Sequence, residues 1–158
     1  MRKHNYTADL KWTGNTGSGT SDYTAYERSF VIESGDIKVR PILGSADPAF
    51  RGDKSRYNPE EMLVHSVSSC HMLWYLHICA DNGVVVNSYS DNPIGEMTEE
   101  SNSGVGQFTK ILLTPRIKVA NKTMVEKAIS LHGKAHQMCF IANSLNFPVQ
   151  IIPQIEVG

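Results

Sequence analysis

Two of the three cysteines stand where sulfur chemistry is a natural reading. Cys70 lies in Ser68-Ser69-Cys70-His71, and Cys139 closes Ala135-His136-Gln137-Met138-Cys139, 69 positions later. If the two thiols meet in space, they can be oxidised to a disulfide and reduced again, which makes a cycle. The reactive form of a cysteine is the thiolate, so its site needs positive potential and access. Cys70 falls in the body of the helix predicted to start after Asn58, beyond the first turn where the helix's own field acts. A cation must therefore come from elsewhere. Arg51 and Arg56 lie in the preceding polar segment, while Arg28 and Arg40 lie on predicted strands. A guanidinium suits the task because its charge is permanent and its planar fork can hold a carboxylate and a thiolate together.

Glu60 precedes Cys70 by ten residues. On a straight helix that is about 15 Å of rise, too far for one compact site. A shared site would need the carboxylate to come from a partner chain or through a bridging arginine, which points to a homodimer. Glu60 can equally serve as a first-turn acid complementing the helix dipole. Cys79, nine residues after Cys70, faces the other side of the helix and reads as an inert buried thiol. His71 is adjacent to Cys70 and points elsewhere, as a packed or solvent-edge histidine. Cys70, His136 and Cys139 form a conceivable metal set. They lack the closely spaced pairs and fourth ligand of structural zinc sites, so no metal is assigned. No phosphate loop or nucleophile elbow occurs, and no cofactor is called for.

The elements that must position these residues follow from pattern and punctuation. His4 to Trp12 alternates as a half-buried strand does. Tyr26 to Ile32 and Ile37 to Leu43 are further strands, joined through Ser34-Gly35-Asp36 into an antiparallel meander. Residues 44–57 form a long polar loop carrying Phe50. Asn58 as N-cap, Pro59 at the first helical position, and Glu60 and Glu61 in the first turn open the long helix. Its apolar and small face is predicted to be Met62, Ser66, Ser69, Cys70, Leu73, Leu76 and Ala80. Asp81-Asn82-Gly83 ends it. Strands follow from Val84, over Gly95 to Glu100, and over Gln107 to Val119, the last interrupted by Pro115. A second helix runs from Asn121 or Thr123 to about Gln137, with a break near Gly133. A short helix over Cys139 to Leu145 and a strand over Pro148 to Val157 close the chain. This order is α+β.

The chain has 158 residues, one domain's worth, and a net charge of −1 with both signs interspersed. That argues against nucleic-acid and anionic-membrane partners. The start carries no apolar signal-like core, and the stretch from Met72 to Ala80 is too short to span a bilayer. Three cysteines do not suit a secreted disulfide scaffold, so the cytoplasm is the expected location.

Taken together, Asn58-Pro59-Glu60-Glu61, the ten-residue step to Cys70, and the Ala135-to-Cys139 segment resemble the OsmC/Ohr family of thiol-dependent hydroperoxide reductases. The resemblance covers most of the chain. It implies a single OsmC-like α+β domain over residues 1–158, with antiparallel sheets, a long central helix bearing Cys70, and an intertwined homodimer. It further implies an oxidoreductase in which Cys70 attacks an organic hydroperoxide or hydrogen peroxide and Cys139 resolves the sulfenic acid as a disulfide. Glu60 would then position the activating arginine, here assigned to Arg51 with Arg56 and Arg28 in reserve. A dithiol or lipoyl reductant would restore the thiols.

The chain departs from the family pattern: its first turn carries no arginine, and His71 replaces the commoner phenylalanine after Cys70. Ala49 stands where the loop arginine is expected, and Phe140 rather than proline follows Cys139. These changes leave open a non-enzymatic relative that binds an apolar small molecule or senses oxidants. Phe50, Met72, Met138 and Phe140 are either core or an apolar wall favouring organic peroxides.

Overall fold

The computed structural model describes residues 2–34 and 40–158, and the chain forms two compact units, 1–62 and 63–158. In the first unit, β1 (Asp9–Trp12), β2 (Phe30–Glu33) and β3 (Ile42–Gly44) make an antiparallel sheet in that order. Asp9 pairs with Glu33, and Phe30 with Gly44. The predicted meander is present, with shorter strands. Residues 35–39 of the expected hairpin lie outside the described residues.

The segment 44–57 is more structured than its composition suggests. Its ends are clipped together, Ser45 N–H donating to the Tyr57 carbonyl (2.9 Å) and Tyr57 N–H to the Leu43 carbonyl (3.2 Å). Asp47 caps a single 3-10 turn, Pro48–Phe50, by accepting from Ala49 N–H at 2.7 Å. Arg51 closes this turn in the left-handed region at φ 64°. A Cβ on Gly52 would fall 1.6 Å from the Ala46 carbonyl oxygen, so the next residue must be glycine.

Helix α1 (Pro59–Asp81) begins as predicted, through a reciprocal cap. Glu61 N–H donates to Asn58 Oδ1 (2.7 Å), and Asn58 N–H to Glu61 Oε2 (3.1 Å). It ends where Gly83 takes φ 70°. The buried face is not the one predicted. Val67, Ser68, His71, Tyr75, Ile78 and Cys79 are buried, while Leu73 is 63% exposed. Apolar residues occur all round this helix, so the spacing alone could not select a face.

In the second unit, β4 (Val86–Ser90), β5 (Ile94–Glu99), β6 (Gly106–Leu113) and β7 (Arg116–Val119) precede a 3-10 turn, Lys122–Met124, capped by the Asn121 side chain. Helix α2 (Val125–Met138) follows, then β8 (Val149–Ile151) and β9 (Gln154–Val157). Two sheets result, in the orders β4-β7-β9 and β5-β6-β8. The two long predicted strands are each split at a proline, at Pro115 between β6 and β7 and at Pro153 between β8 and β9. Each proline lies where the chain passes from one sheet to the other. Because β8 runs parallel to β6 and β9 parallel to β7, the sheets are mixed rather than wholly antiparallel.

Helix α2 is unbroken at Gly133, where an added Cβ would meet nothing within 4 Å. The expected helix at Cys139 to Leu145 reduces to one 3-10 turn, Ala142–Ser144. Tyr75, Ile78 and Cys79 of α1 pack with Ala128, Leu131 and Ala135 of α2 over Ile117 and Val119. A second cluster joins Val67 to Ile111 and Leu113. The result is α+β, as the element order implied.

Candidate thiol site

Cys70 projects from the middle of α1, half-buried, and Cys139 sits at the C-terminal cap of α2, fully buried. At Cys139 the chain leaves the helix in an extended conformation (φ −72°, ψ 105°), with its N–H still bonded to the His136 carbonyl at 3.2 Å. Both cysteines are free thiols, and the Cys70 side chain acts on the Cys139 thiol. Burial pushes the Cys139 thiol up to about 11, and the Cys70 sulfur adds to that rise. The Ala142 N–H, 3.5 Å from the Cys139 Sγ, opposes it without reversing it. Cys139 is thus a neutral thiol at neutral pH. Cys79 is buried beside Tyr75 and its thiol is also pushed up by burial, as expected of an inert core cysteine.

The remaining predicted residues belong to the first unit. Arg28 donates through Nη1 to the Tyr26 carbonyl (2.5 Å) and through Nη2 to the Tyr23 carbonyl (2.6 Å). Both tyrosine rings lie against its guanidinium, at 4.3 and 4.2 Å. This holds Arg28 in a structural role. Arg56 pairs with Asp53 at 3.5 Å. The Arg51 guanidinium lies 6.0 Å from the Tyr23 ring and makes no hydrogen bond or ion pair among the described residues. Arg28 and Arg51 share a polar hollow of about 250 Å³ with Ser29 and Ser45. Glu60 keeps one carboxylate oxygen, Oε2, buried with no hydrogen-bond partner among the described residues. A buried carboxylate oxygen is normally satisfied, so this one calls for a donor.

On the exposed side of α1, Leu73, Trp74 and His77 line an open, mostly apolar hollow of about 260 Å³. Phe140 meets Trp74 edge-on at 5.6 Å. Phe50, Met138 and Phe140 are exposed, which removes them from the core. No metal-holding group of histidine, cysteine and carboxylate occurs among the described residues.

Sequence reasoning missed a histidine pair. His71 of α1 and His132 of α2 are buried against each other, Nε2 to Nδ1 at 3.0 Å. Their positions, four residues after Val67 and four after Ala128, match the buried faces of the two helices. That spacing was the available signal, obscured because histidine does not register as apolar.

Cys70 on α1 and Cys139 at the end of α2 are thus set in an α+β fold. The family model described as OsmC-like protein matches residues 52–153, well over half the chain, and the chain belongs to that family. An OsmC-like protein of unknown function from Vibrio cholerae is 30% identical, with a TM-score of 0.84 over 96% of this chain and 99% of that one. An organic hydroperoxide resistance protein from Elizabethkingia anophelis shares the fold at 18% identity and TM-score 0.67, covering 99% of this chain and all (100%) of that one. One from Legionella pneumophila does so at 17% and 0.63, covering 98% and 99%. Comparison with curated proteins finds no match. No helix among the described residues is long and apolar enough to cross a membrane.

Proposed function

We propose that the protein is a two-cysteine peroxidase that reduces organic hydroperoxides, with Cys70 as the attacking thiolate and Cys139 as the resolving thiol. The reading is supported by the influence of the half-buried Cys70 side chain on the buried Cys139 thiol. In the first step the Cys70 sulfur bonds to a peroxide oxygen, the O–O bond breaks, and the departing alkoxide takes a proton to leave as an alcohol. Cys70 becomes a sulfenic acid. In the second step the Cys139 sulfur bonds to the Cys70 sulfur and hydroxide departs, leaving as water with the Cys139 proton. A dithiol, lipoyl in type, then exchanges with the disulfide, restoring both thiols and becoming oxidised itself.

The protonation of Cys139 suits its role. A neutral thiol does not compete for peroxide, yet it stands ready to trap the sulfenic acid before irreversible oxidation. The apolar hollow at Leu73 and Trp74, together with Phe140, favours an organic over a purely aqueous peroxide. The orphaned Glu60 oxygen favours a homodimer in which a guanidinium, assigned to Arg51, completes the carboxylate's bonding beside a thiolate.

The test is consumption of cumene hydroperoxide and of hydrogen peroxide with dihydrolipoamide as reductant. Turnover should vanish in Cys70→Ser, and one equivalent of peroxide should remove two free thiols from the wild type. Absence of turnover with every peroxide, together with an ordinary thiol pKa at Cys70, would replace this reading with a binding or sensing role.

A further inference from the structure

Cys139 opens a short segment, 139–145, whose hydrogen bonds are local. Asn143 N–H donates to the Cys139 carbonyl (3.0 Å), the Asn143 side-chain amide to the Gln137 carbonyl (2.9 Å), and the Ser144 hydroxyl to the Phe140 carbonyl (2.8 Å). Such bonds set the shape of the segment and not its distance from α1. Side chains hold that distance at two places. Ile141 and Leu145 pack against the buried cluster that contains Val67, and Phe140 meets Trp74. Val67 lies three residues before Cys70 and Trp74 four residues after it. The two anchors therefore stand one turn to either side of the Cys70 thiol, on one helix face.

The anchors differ in kind. The first belongs to the core. The second lies at the surface, since Phe140 is 63% exposed although the adjoining Cys139 is fully buried. The two rings meet with centroids 5.6 Å apart and planes at 88°, the favoured edge-to-face arrangement. Trp74 itself packs against the core shared by α1 and α2, which gives the indole a fixed seat. An aromatic ring so exposed adds little to a core. What it does reach is the residue one turn beyond Cys70.

We propose that Trp74 and Phe140 are positioning residues that hold the Cys139 segment against α1 and so raise the effective concentration of the Cys139 thiol at Cys70. This rests on the assignment of Cys70 and Cys139 as the redox pair. An aromatic pair of this geometry multiplies an equilibrium constant about two- to tenfold. Where the ring contact and the approach of the thiols occur in the same conformation, the contact favours the disulfide by that factor. By reciprocity the disulfide favours the contact equally. A contact serving stability alone would act on the dithiol and disulfide forms alike, and the balance between them would not move.

That balance is read in mixtures of reduced and oxidised dithiothreitol. The oxidised reagent takes up the two electrons and two protons that Cys70 and Cys139 release as their sulfurs join. Full-length wild type, Trp74→Leu, Phe140→Leu and the double variant are equilibrated, quenched in acid, and counted for free thiols after unfolding. Leucine keeps apolar bulk and removes the ring pair. Each single variant should lower the disulfide equilibrium constant about two- to tenfold, and the double variant should lose no more than either, because all three lack the same contact. Unchanged constants in both single variants, or losses that multiply in the double one, would overturn the proposal. Urea midpoints give the same answer by linkage. They should fall further for the disulfide form than for the dithiol form, and equal falls would count against the positioning role.

Should the variants not fold, Trp12→Phe leaves Trp74 as the one tryptophan in the chain. Acrylamide should then quench Trp74 less in the disulfide form than in the dithiol form, and equal quenching would overturn the proposal. A disulfide equilibrium that depends on the rings, without peroxide turnover, would sink only the peroxidase reading. Turnover with an equilibrium blind to the rings would sink only the positioning role.

Discussion

The Cys139 thiol is fully buried while the Cys70 side chain that acts on it is half-buried, and the two sulfurs therefore differ in access before they differ in chemistry. At neutral pH a thiol pushed up to about 11 is ionised to about one part in ten thousand. Pulsed alkylation with iodoacetamide, followed by peptide mass analysis, should label Cys70 first. Cys139 and the equally buried Cys79 should be labelled only on unfolding. Labelling of Cys139 at the rate of Cys70 in the folded protein would contradict the asymmetry.

The histidine pair predicts acid sensitivity. His71 is lowered from 6.5 to about 4 and His132 from 6.5 to about 3, so in this window the unfolded chain binds protons that the folded chain refuses. Stability is therefore complete above about pH 6.5 and falls as pH drops toward 4 and below. For His71 alone the loss reaches about 3 kcal/mol. His71→Leu/His132→Leu, which removes both partners together, should flatten the denaturation midpoint across that range. His71→Leu alone should cost about 1–3 kcal/mol at neutral pH by stranding His132 Nδ1.

Gly133 lies exposed in the interior of α2, with open space where a Cβ would go. Gly133→Ala should raise the stability by about 0.5–1 kcal/mol, read as a shift in urea midpoint at unchanged slope. A loss of stability would mean that this face is covered in the assembled protein.

What could be read in advance divides along physical lines. The start of α1 was legible because Asn58, Pro59 and Glu61 act within one turn, and the observed reciprocal cap uses that local chemistry. Gly83 was legible for the same reason. The buried face of α1 was not, since Leu73, Trp74 and Leu76 mask the line through Val67, His71 and Tyr75. Pro115 announced an interruption but not its consequence, because passage between two sheets is a tertiary event shared with Pro153. The pattern of cysteines singled out Cys70 and Cys139 in advance, whereas the His71–His132 bond depends on how α1 and α2 face each other.

Arg51 offers a test in which stability and function should move in opposite directions. It holds φ 64°, a conformation costing a residue with a Cβ about 1 kcal/mol relative to glycine, and its guanidinium makes no hydrogen bond among the described residues that would offset this. Arg51→Gly should therefore leave thermal stability equal or raise it by up to about 1 kcal/mol. If Arg51 activates Cys70, the same change should raise the Cys70 thiol pKa and slow the peroxide step, measured by alkylation against pH and by single-turnover oxidation. Arg28→Ala should behave oppositely. It loses two carbonyl bonds and two ring contacts, so the first sheet should weaken, with no specific change in the titration of Cys70 in the protein that stays folded. Unchanged Cys70 reactivity in Arg51→Gly would move the activating role to Arg56, whose pairing with Asp53 makes it the next candidate.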